Sequence, residues 1–237
     1  MAILSVESLD ARHGLLQAVR GVSLAVAEGE TLALVGANGA GKTTLLRTIA
    51  GAHGASGGRI RFDGADITAL PAHQRVRRGI ALVPEGRRLF TGMTVEENLL
   101  VAGGRGPAGD WTLDRVVETF PQLKAKLKAR AGDLSGGQQQ AAAIARALMT
   151  NPRLLLLDEV SLGLSPVAVD GVYASLQGLL GGGATILLVE QDLGRALRVA
   201  DRVVCLLEGR ITYEGLARET SREQIMQAYF GLRGAAA

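Results

Sequence analysis

The chain has 237 residues, enough to bury a full hydrophobic core as one domain or as a domain with an inserted lobe. Its 26 basic and 23 acidic residues give a net charge of +3, and aromatic residues make up only 3%, which argues against nucleic acid as a partner. Charges, glycines or prolines interrupt each apolar run before the roughly 18 residues that a membrane helix needs, and we expect no signal peptide. If the protein works at a membrane, another chain must span it.

The first 35 residues alternate short apolar runs with polar turns and predict a β-rich region that ends in a buried strand at 31–35. The sequence GANGAGKTT follows at 36–44, and residues 43–50 predict a helix that Gly51 closes. A glycine-rich segment between a strand end and a helix start is typical of a phosphate-binding P-loop. The strand and the helix on either side make a plain glycine-rich turn the weaker interpretation.

The chemistry of this segment follows from its residue types. The glycines let successive backbone N–H groups turn inward and form a nest for phosphate oxygens at a positive helix end. Lys42 is placed to reach the β- and γ-phosphates, and the hydroxyl of Thr43 suits Mg²⁺. The residues predicted to bind ATP here are Gly36, Asn38, Gly39, Ala40, Gly41, Lys42, Thr43 and Thr44.

The next segments predict a strand at 59–62, a short basic helix at 72–78 and a buried strand at 80–83. The pattern then becomes helical from 89 to about 150. Thr94 and Glu97 have the spacing of a capping box, and further helices are predicted at 114–120 and 123–130. We expect this block to be a helical lobe inserted into an α/β core.

The sequence LSGGQQQ at 134–140 opens another predicted helix. Ser135 is a natural N-cap, and Gly136 and Gly137 expose amides at the positive helix end, so this segment predicts a second anion site. One chain does not need two sites for a γ-phosphate. A head-to-tail dimer, in which this helix end closes the P-loop of a second subunit over ATP, accounts for both.

The sequence LLLLDE at 154–159 predicts a central strand that ends in two carboxylates. Asp158 is expected to hold Mg²⁺ through water, and Glu159 to orient or deprotonate the water that attacks the γ-phosphate. Helices at 166–180, 193–200 and 221–230 alternate with a strand at 184–189 and a hairpin at 202–213. This alternation predicts an α/β fold with a mainly parallel sheet. The lone Cys205 is expected to be a buried strand residue.

The three motifs GANGAGKTT, LSGGQQQ and LLLLDE, in this order, resemble the nucleotide-binding subunit of ABC transporters over essentially the whole chain. The segments VPEGRRLF, MTVEENL, SLGLSP and LLVEQDL are similar to the shorter of the two ATPases of branched-chain amino acid importers. The resemblance implies a P-loop NTPase core at 1–88 and 151–237 with an antiparallel β region, and a helical signature subdomain at 89–150.

The same resemblance implies a function. It predicts an ATPase that uses ATP and Mg²⁺ to drive separate membrane permease subunits, pairs with itself or a paralogue, and depends indirectly on a solute-binding protein. It also implies a cytoplasmic location, peripheral on the inner face of the cell membrane.

Individual positions carry over from the family with some departures. Glu85 stands where most members have the metal-sensing Q-loop glutamine, and Gln191 where most have the switch histidine that touches the γ-phosphate. The aromatic residue that stacks on adenine falls near His13. Leu164 occupies the usual D-loop aspartate position, and Val160 replaces a common proline. The ATP-binding residues that the resemblance implies also include the signature segment: Ser135, Gly136, Gly137 and Gln138.

Arg87, Arg88 and Phe90 lie where the resemblance places the groove for a permease helix, although two arginines also suit a plain solvated face. The sequence also leaves other functions open. They include importers of urea or short amides, the other ATPase of the same importer, the ATPase of lipopolysaccharide export, and a non-transport ABC ATPase acting on DNA or ribosomes. A P-loop kinase fits poorly because it has no use for LSGGQ.

Overall fold

The computed structural model describes residues 2–181 and 183–231. The chain forms two compact units: the first comprises Met1–Ala72 and Thr185–Ala237, and the second comprises His73–Ala184. Ten strands and eight α-helices are found in the described residues.

An antiparallel sheet occupies the N-terminal part of the first unit. Its strands are β1 (Ala2–His13), β2 (Leu16–Ala27), β4 (Gly57–Phe62) and β5 (Ala65–Asp66), in the order β2-β1-β4-β5. Leu4 of β1 pairs with Phe62 of β4, and Val6 pairs with Ile60, so alternate apolar residues share one buried face. The predicted antiparallel β region is confirmed.

The parallel strands of the first unit carry the P-loop. The strand β3 (Thr31–Gly36) is buried at each position and lies between β8 (Ile186–Val189) and β9 (Arg202–Leu207), parallel to both. Strands that are buried on both faces have continuous apolar sequences, and β3, β8 and β9 can therefore be predicted from the sequence. The strand β10 (Arg210–Leu216) returns antiparallel to β9 after a turn at Glu208 and Gly209, whose φ angles are 49° and 80°.

Helices cover these strands. The first unit holds α1 (Lys42–Ile49), α7 (Leu193–Val199), α8 (Arg222–Tyr229) and a 3₁₀ turn at Ala217–Glu219. One core cluster joins Ala33 and Val35 of β3, Ala196 of α7, Cys205 of β9 and Ile225 of α8. Burial raises the pKa of the Cys205 thiol, as expected for an inert core cysteine.

The second unit pairs β6 (Ile80–Val83) with β7 (Leu154–Asp158) in parallel register. Its helices are α2 (Ala72–Arg77, which begins at the boundary), α3 (Val95–Leu100), α4 (Leu113–Thr119), α5 (Gly136–Leu148) and α6 (Pro166–Gly181). Short 3₁₀ turns lie at Pro121–Lys126 and Ala131–Asp133. The capping box predicted at Thr94 and Glu97 is present.

The helix predicted at 123–130 is wrong. The segment forms a 3₁₀ turn to Lys126 and then a turn and a bend, where the carbonyl oxygens of Leu127 and Ala129 accept hydrogen bonds from the backbone N–H groups of Glu96 and Val95. Residues 123–130 bury only Leu123 fully, so no apolar helical face holds them in α conformation. Hydrogen bonds from the first two residues of α3 satisfy these backbone carbonyl groups instead.

Within 2–181 and 183–231, no helix has both the length and the apolar character needed to cross a membrane. The division into a core at 1–88 and 151–237 and a helical lobe at 89–150 stays a prediction.

Candidate functional site

The P-loop of the first unit links the carboxyl end of β3 to α1. Gly36 has φ 147°, and a Cβ there would lie 2.2 Å from the carbonyl oxygen of Leu206. Gly41 has φ 102°, and its Cβ would lie 2.2 Å from the carbonyl oxygen of Ala18. Because neither the backbone conformation nor the space admits a side chain, glycine is required at both positions.

Lys42 is the first residue of α1 and is only 4% exposed. Its ammonium donates hydrogen bonds to the carbonyl oxygens of Gly36 at 2.8 Å and Ala37 at 2.9 Å, which draws the side chain back across the loop. Gly41 is the N-cap of α1, and no side chain of the described residues caps this helix end. An uncapped helix start beside a buried cation is suited to bind an anion.

His13 lies at the end of β1, next to the P-loop. Its Nε2 is 3.1 Å from the hydroxyl oxygen of Thr44 in the first turn of α1. The structure therefore brings together the residue predicted to face adenine and one predicted to bind phosphate. A second imidazole, that of His53, packs against His13, and no sequence signal pointed to it.

Gln191 lies at the end of β8 and is exposed. Since β8 and β3 are parallel neighbours, Gln191 and the P-loop follow the carboxyl ends of adjacent strands. The turn is held by Glu190, 1% exposed, whose Oε1 accepts hydrogen bonds from the backbone N–H of Gln191 at 2.9 Å and of Asp192 at 3.0 Å. Glu190 therefore fixes the backbone that presents Gln191.

In the second unit, Asp158 is the last residue of β7 and is 1% exposed. Glu159 follows it with φ 49°, a left-handed conformation that costs a residue with a side chain about 1–3 kcal/mol. Such strain is kept where the direction of a side chain matters. Val160 is 1% exposed, so an apolar side chain at this position fills a buried space.

The signature segment begins α5. The Ser135 hydroxyl accepts a hydrogen bond from the backbone N–H of Gln138 at 3.4 Å. In return, the side-chain Oε1 of Gln138 accepts one from the backbone N–H of Ser135 at 3.1 Å. A Cβ on Gly137 would lie 2.9 Å from the Cβ of Ala168, so the second glycine is needed for packing within the unit. Ser135 itself is exposed and accessible to a second molecule.

Arg87 connects the Glu85 loop to the signature helix, a link that sequence reasoning missed. Its Nη1 donates to the side-chain oxygen of Gln139 at 3.0 Å, and a Cβ on Gly136 would lie 3.3 Å from its Nη2. Arg87 and Arg88 both have positive φ, 63° and 50°. Two non-glycine residues in left-handed conformation mark a constrained loop, a feature with no local sequence signal.

A cavity of about 480 Å³ lies within the second unit. Arg146 donates to the carbonyl oxygen of Arg88 at 2.8 Å and places its guanidinium 5.6 Å from the ring centre of Phe90. Burial lowers the pKa of Arg146. The walls combine cationic and apolar side chains: Arg77, Arg88, Arg105, Arg146, Phe90 and Val101.

The residues proposed for a metal are hard oxygen donors. Thr43 supplies a hydroxyl, and Asp158 and exposed Glu85 supply carboxylates, which is the donor type that Mg²⁺ prefers. Among the described residues no group of three or more His, Cys, Asp or Glu side chains could hold a metal ion by itself. Each of these donors is of a type that suits an ion taking most of its ligands from water and phosphate.

The predicted site residues are thus divided between the units. The first unit holds His13, the P-loop and Gln191. The second holds Glu85, the signature segment 135–138, Asp158 and Glu159.

Residues 19–161 match the family model described as ABC transporter. The chain is 44% identical over 232 residues to the high-affinity branched-chain amino acid transport ATP-binding protein BraG of Pseudomonas aeruginosa, covering 97% of this chain and 100% of that one. It is 34% identical over 249 residues to BraF of the same organism, covering 97% and 98%. A dimeric ATP-binding cassette in a post-hydrolysis state, bound to ADP and phosphate, superposes with a TM-score of 0.78 at 25% identity, covering 92% of this chain and 100% of that one.

Proposed function

This chain belongs to the ABC transporter family, and on that premise we propose that it binds and hydrolyses ATP to drive uptake of branched-chain amino acids through separate permease subunits. The observation that carries the proposal is the P-loop around Lys42, in a chain 44% identical to BraG along nearly its whole length. The antiparallel region, the parallel strands and the helices agree with the fold of the family's solved cassettes.

The proposed chemistry assigns each residue a physical task. The P-loop amides and Lys42 bind the β- and γ-phosphates of ATP, and Thr43, Asp158 and Glu85 are the candidate ligands of Mg²⁺ or its water. The ion, when bound, neutralises charge that develops on the transferred phosphoryl group. Glu159, strained at φ 49°, aims its carboxylate at the attacking water, and Gln191 donates to the γ-phosphate without titrating.

The choice of substrate rests on the relatives. BraG and BraF are both named as ATP-binding proteins of branched-chain amino acid transport, and this chain is more similar to BraG, 44% against 34%. The alignment to BraG covers that whole protein in 232 residues, whereas that to BraF spans 249, so the shorter ATPase is the better counterpart. We therefore assign this chain the role of the shorter ATPase.

The cavity of about 480 Å³ in the second unit is the groove at which we place the contact with the permease. This contact would attach the chain peripherally to the inner face of the membrane. Exposed Phe90 and Val101 offer apolar area to a docking helix, and the arginines beside them favour an acidic residue on that helix. The proposed helical subdomain, 89–150, supplies much of this groove.

Dimerisation completes the proposed active site. Ser135 is exposed at the capped start of α5, where its segment can meet the triphosphate held by a second subunit, either a copy or a paralogue. A related cassette is dimeric in its post-hydrolysis state.

The test is co-purification followed by transport-coupled hydrolysis. The chain, expressed with its candidate permease subunits and a paralogous ATPase, is reconstituted in vesicles, and phosphate release is measured with solute-binding proteins loaded with leucine, urea or acetamide. Stimulation by the leucine-loaded protein alone supports the proposal. Stimulation by the urea- or amide-loaded protein would change the substrate class. A specific ATPase activity of the isolated subunit that does not depend on the subunit concentration would rule out an active site shared by two subunits.

A further inference from the structure

Two of the three histidines of the chain form a pair beside the P-loop. The ring centroids of His13 and His53 are 4.4 Å apart, with the rings inclined by 39°. His13 ends β1, whereas His53 follows α1, 40 residues later in the chain. At this separation aromatic rings stabilise each other beyond the area that they bury.

The remaining contacts of the pair fix both rings. His53 Nε2 is 3.1 Å from the backbone carbonyl oxygen of Arg12, which can only accept, so His53 carries its proton on Nε2 and donates it. His13 Nε2 is 3.1 Å from the hydroxyl of Thr44. One edge of the His13 ring is therefore held by Thr44, while His53 packs against the ring.

Both anchors belong to the helix that begins at the P-loop. Thr44 lies in the first turn of α1, and the backbone N–H of His53 donates to the carbonyl oxygen of Arg47 in the last turn at 3.1 Å. The His13 ring is thus held from both ends of α1. It stays exposed, so part of its surface is accessible to a ligand.

We propose that His53 is a positioning residue for ATP: it holds the His13 ring in the orientation that stacks on the adenine base. A histidine that is free to rotate loses conformational entropy when a base stacks on it, and a ring already held by its neighbours does not. His53 thereby increases base affinity without touching the phosphates. This inference rests on the proposed ATP-binding function and extends it to a residue outside the motifs.

The test compares ligands with and without a base. Dissociation constants for ATP, GTP and tripolyphosphate, each with Mg²⁺, are measured by titration calorimetry on the full chain. We expect His53→Ala to weaken the affinities for ATP and GTP by the same factor, about 3- to 10-fold, and to leave the affinity for tripolyphosphate unchanged. His53→Phe keeps a ring against His13 and should restore affinity, whereas His53→Gln keeps a donor for the Arg12 carbonyl and should not.

A double-mutant cycle separates positioning from general stability. In the His13→Ala background, His53→Ala should cause no further loss, because there is no ring left to hold. Arg59→Ala, an exposed change in β4 that breaks an ion pair with Asp66, serves as the control that leaves all three affinities unchanged.

Several outcomes overturn the inference. They are unchanged ATP affinity in His53→Ala, an equal loss of tripolyphosphate affinity, additive losses with His13→Ala, or full affinity in His53→Gln with none recovered in His53→Phe. Failure of the proposed function looks different, because the unmodified chain would then bind neither ATP nor tripolyphosphate.

Discussion

Replacing Glu159 by glutamine and by glycine separates its chemical role from its backbone strain. Glu159→Gln keeps the side-chain shape but removes the charge that orients or deprotonates water, so turnover should fall by about 100-fold or more with ATP binding intact. Glu159→Gly also removes the strain of φ 49°. Both variants should be inactive, but only the glycine variant should gain stability.

The magnitude follows from two opposing terms. Relief of the left-handed conformation contributes about 1–2 kcal/mol, and the greater freedom of glycine in the unfolded chain costs about 0.5–1 kcal/mol. The net gain of up to about 1.5 kcal/mol should raise the melting temperature by up to about 6 °C in a chain of this size.

The chain offers a matched control. Glu208, in the exposed turn between β9 and β10, has the same φ of 49° and no predicted role in catalysis. Glu208→Gly should give the same gain in melting temperature and full turnover. Phosphate release and thermal unfolding are measured on all variants together. Wild-type turnover in Glu159→Gln would refute the role of the carboxylate, and a lower melting temperature in Glu208→Gly would refute the strain reasoning.

Three further experiments test the P-loop, the signature helix and the capping box of α3. Lys42→Ala should weaken ATP binding about 10- to 100-fold in calorimetry, since charge-assisted hydrogen bonds to phosphate are lost, and unchanged affinity would contradict this. Ser135→Ala and Ser221→Ala each remove the N-cap of a capping box and should cost about 1 kcal/mol of stability. Only Ser135→Ala should also lower turnover. Equal turnover in the two variants would argue against a contact between Ser135 and the ATP of a second subunit. Hydrogen bonds from Thr94, the backbone N–H foremost, lower the pKa of Glu97. The contribution of Glu97 to stability should therefore be present above about pH 5 and be lost as the pH falls through the lowered pKa. Denaturant titrations in which the free energies of unfolding of Glu97→Gln and wild type differ by the same amount at all pH values would contradict this.

Local chemistry made much of the fold predictable. The buried run at 31–35, the glycines of the P-loop, the capping box that begins at Thr94 and the N-cap at Ser135 each depend on a few neighbouring residues, and the structure has them in the expected places. The segment 123–130 was misread because its backbone bonds to the chain around Met93, more than 30 residues away. A pairing that competes with helix formation from that distance leaves no trace in local periodicity.

The contacts around the site were less predictable for the same reason. His53 meets His13, and Arg87 meets Gln139, through folding that no spacing rule describes. The left-handed conformation of Arg87 and Arg88 is also imposed from outside, because Arg146 of α5 bonds to both of their carbonyl oxygens. Motifs locate the groups that we propose to touch the nucleotide, and the long-range contacts decide how firmly those groups are held.

The buried position of Cys205 has a practical consequence. It is the only thiol of the chain, lies fully inside the core of the first unit and is kept protonated by its surroundings, so maleimide reagents should not modify it in the folded protein. A cysteine introduced at Leu15, which is 98% exposed in the hairpin between β1 and β2, would then be the single site of labelling. A spin label or fluorophore placed there can report the distance between two subunits during the nucleotide cycle without first removing the native sulfur.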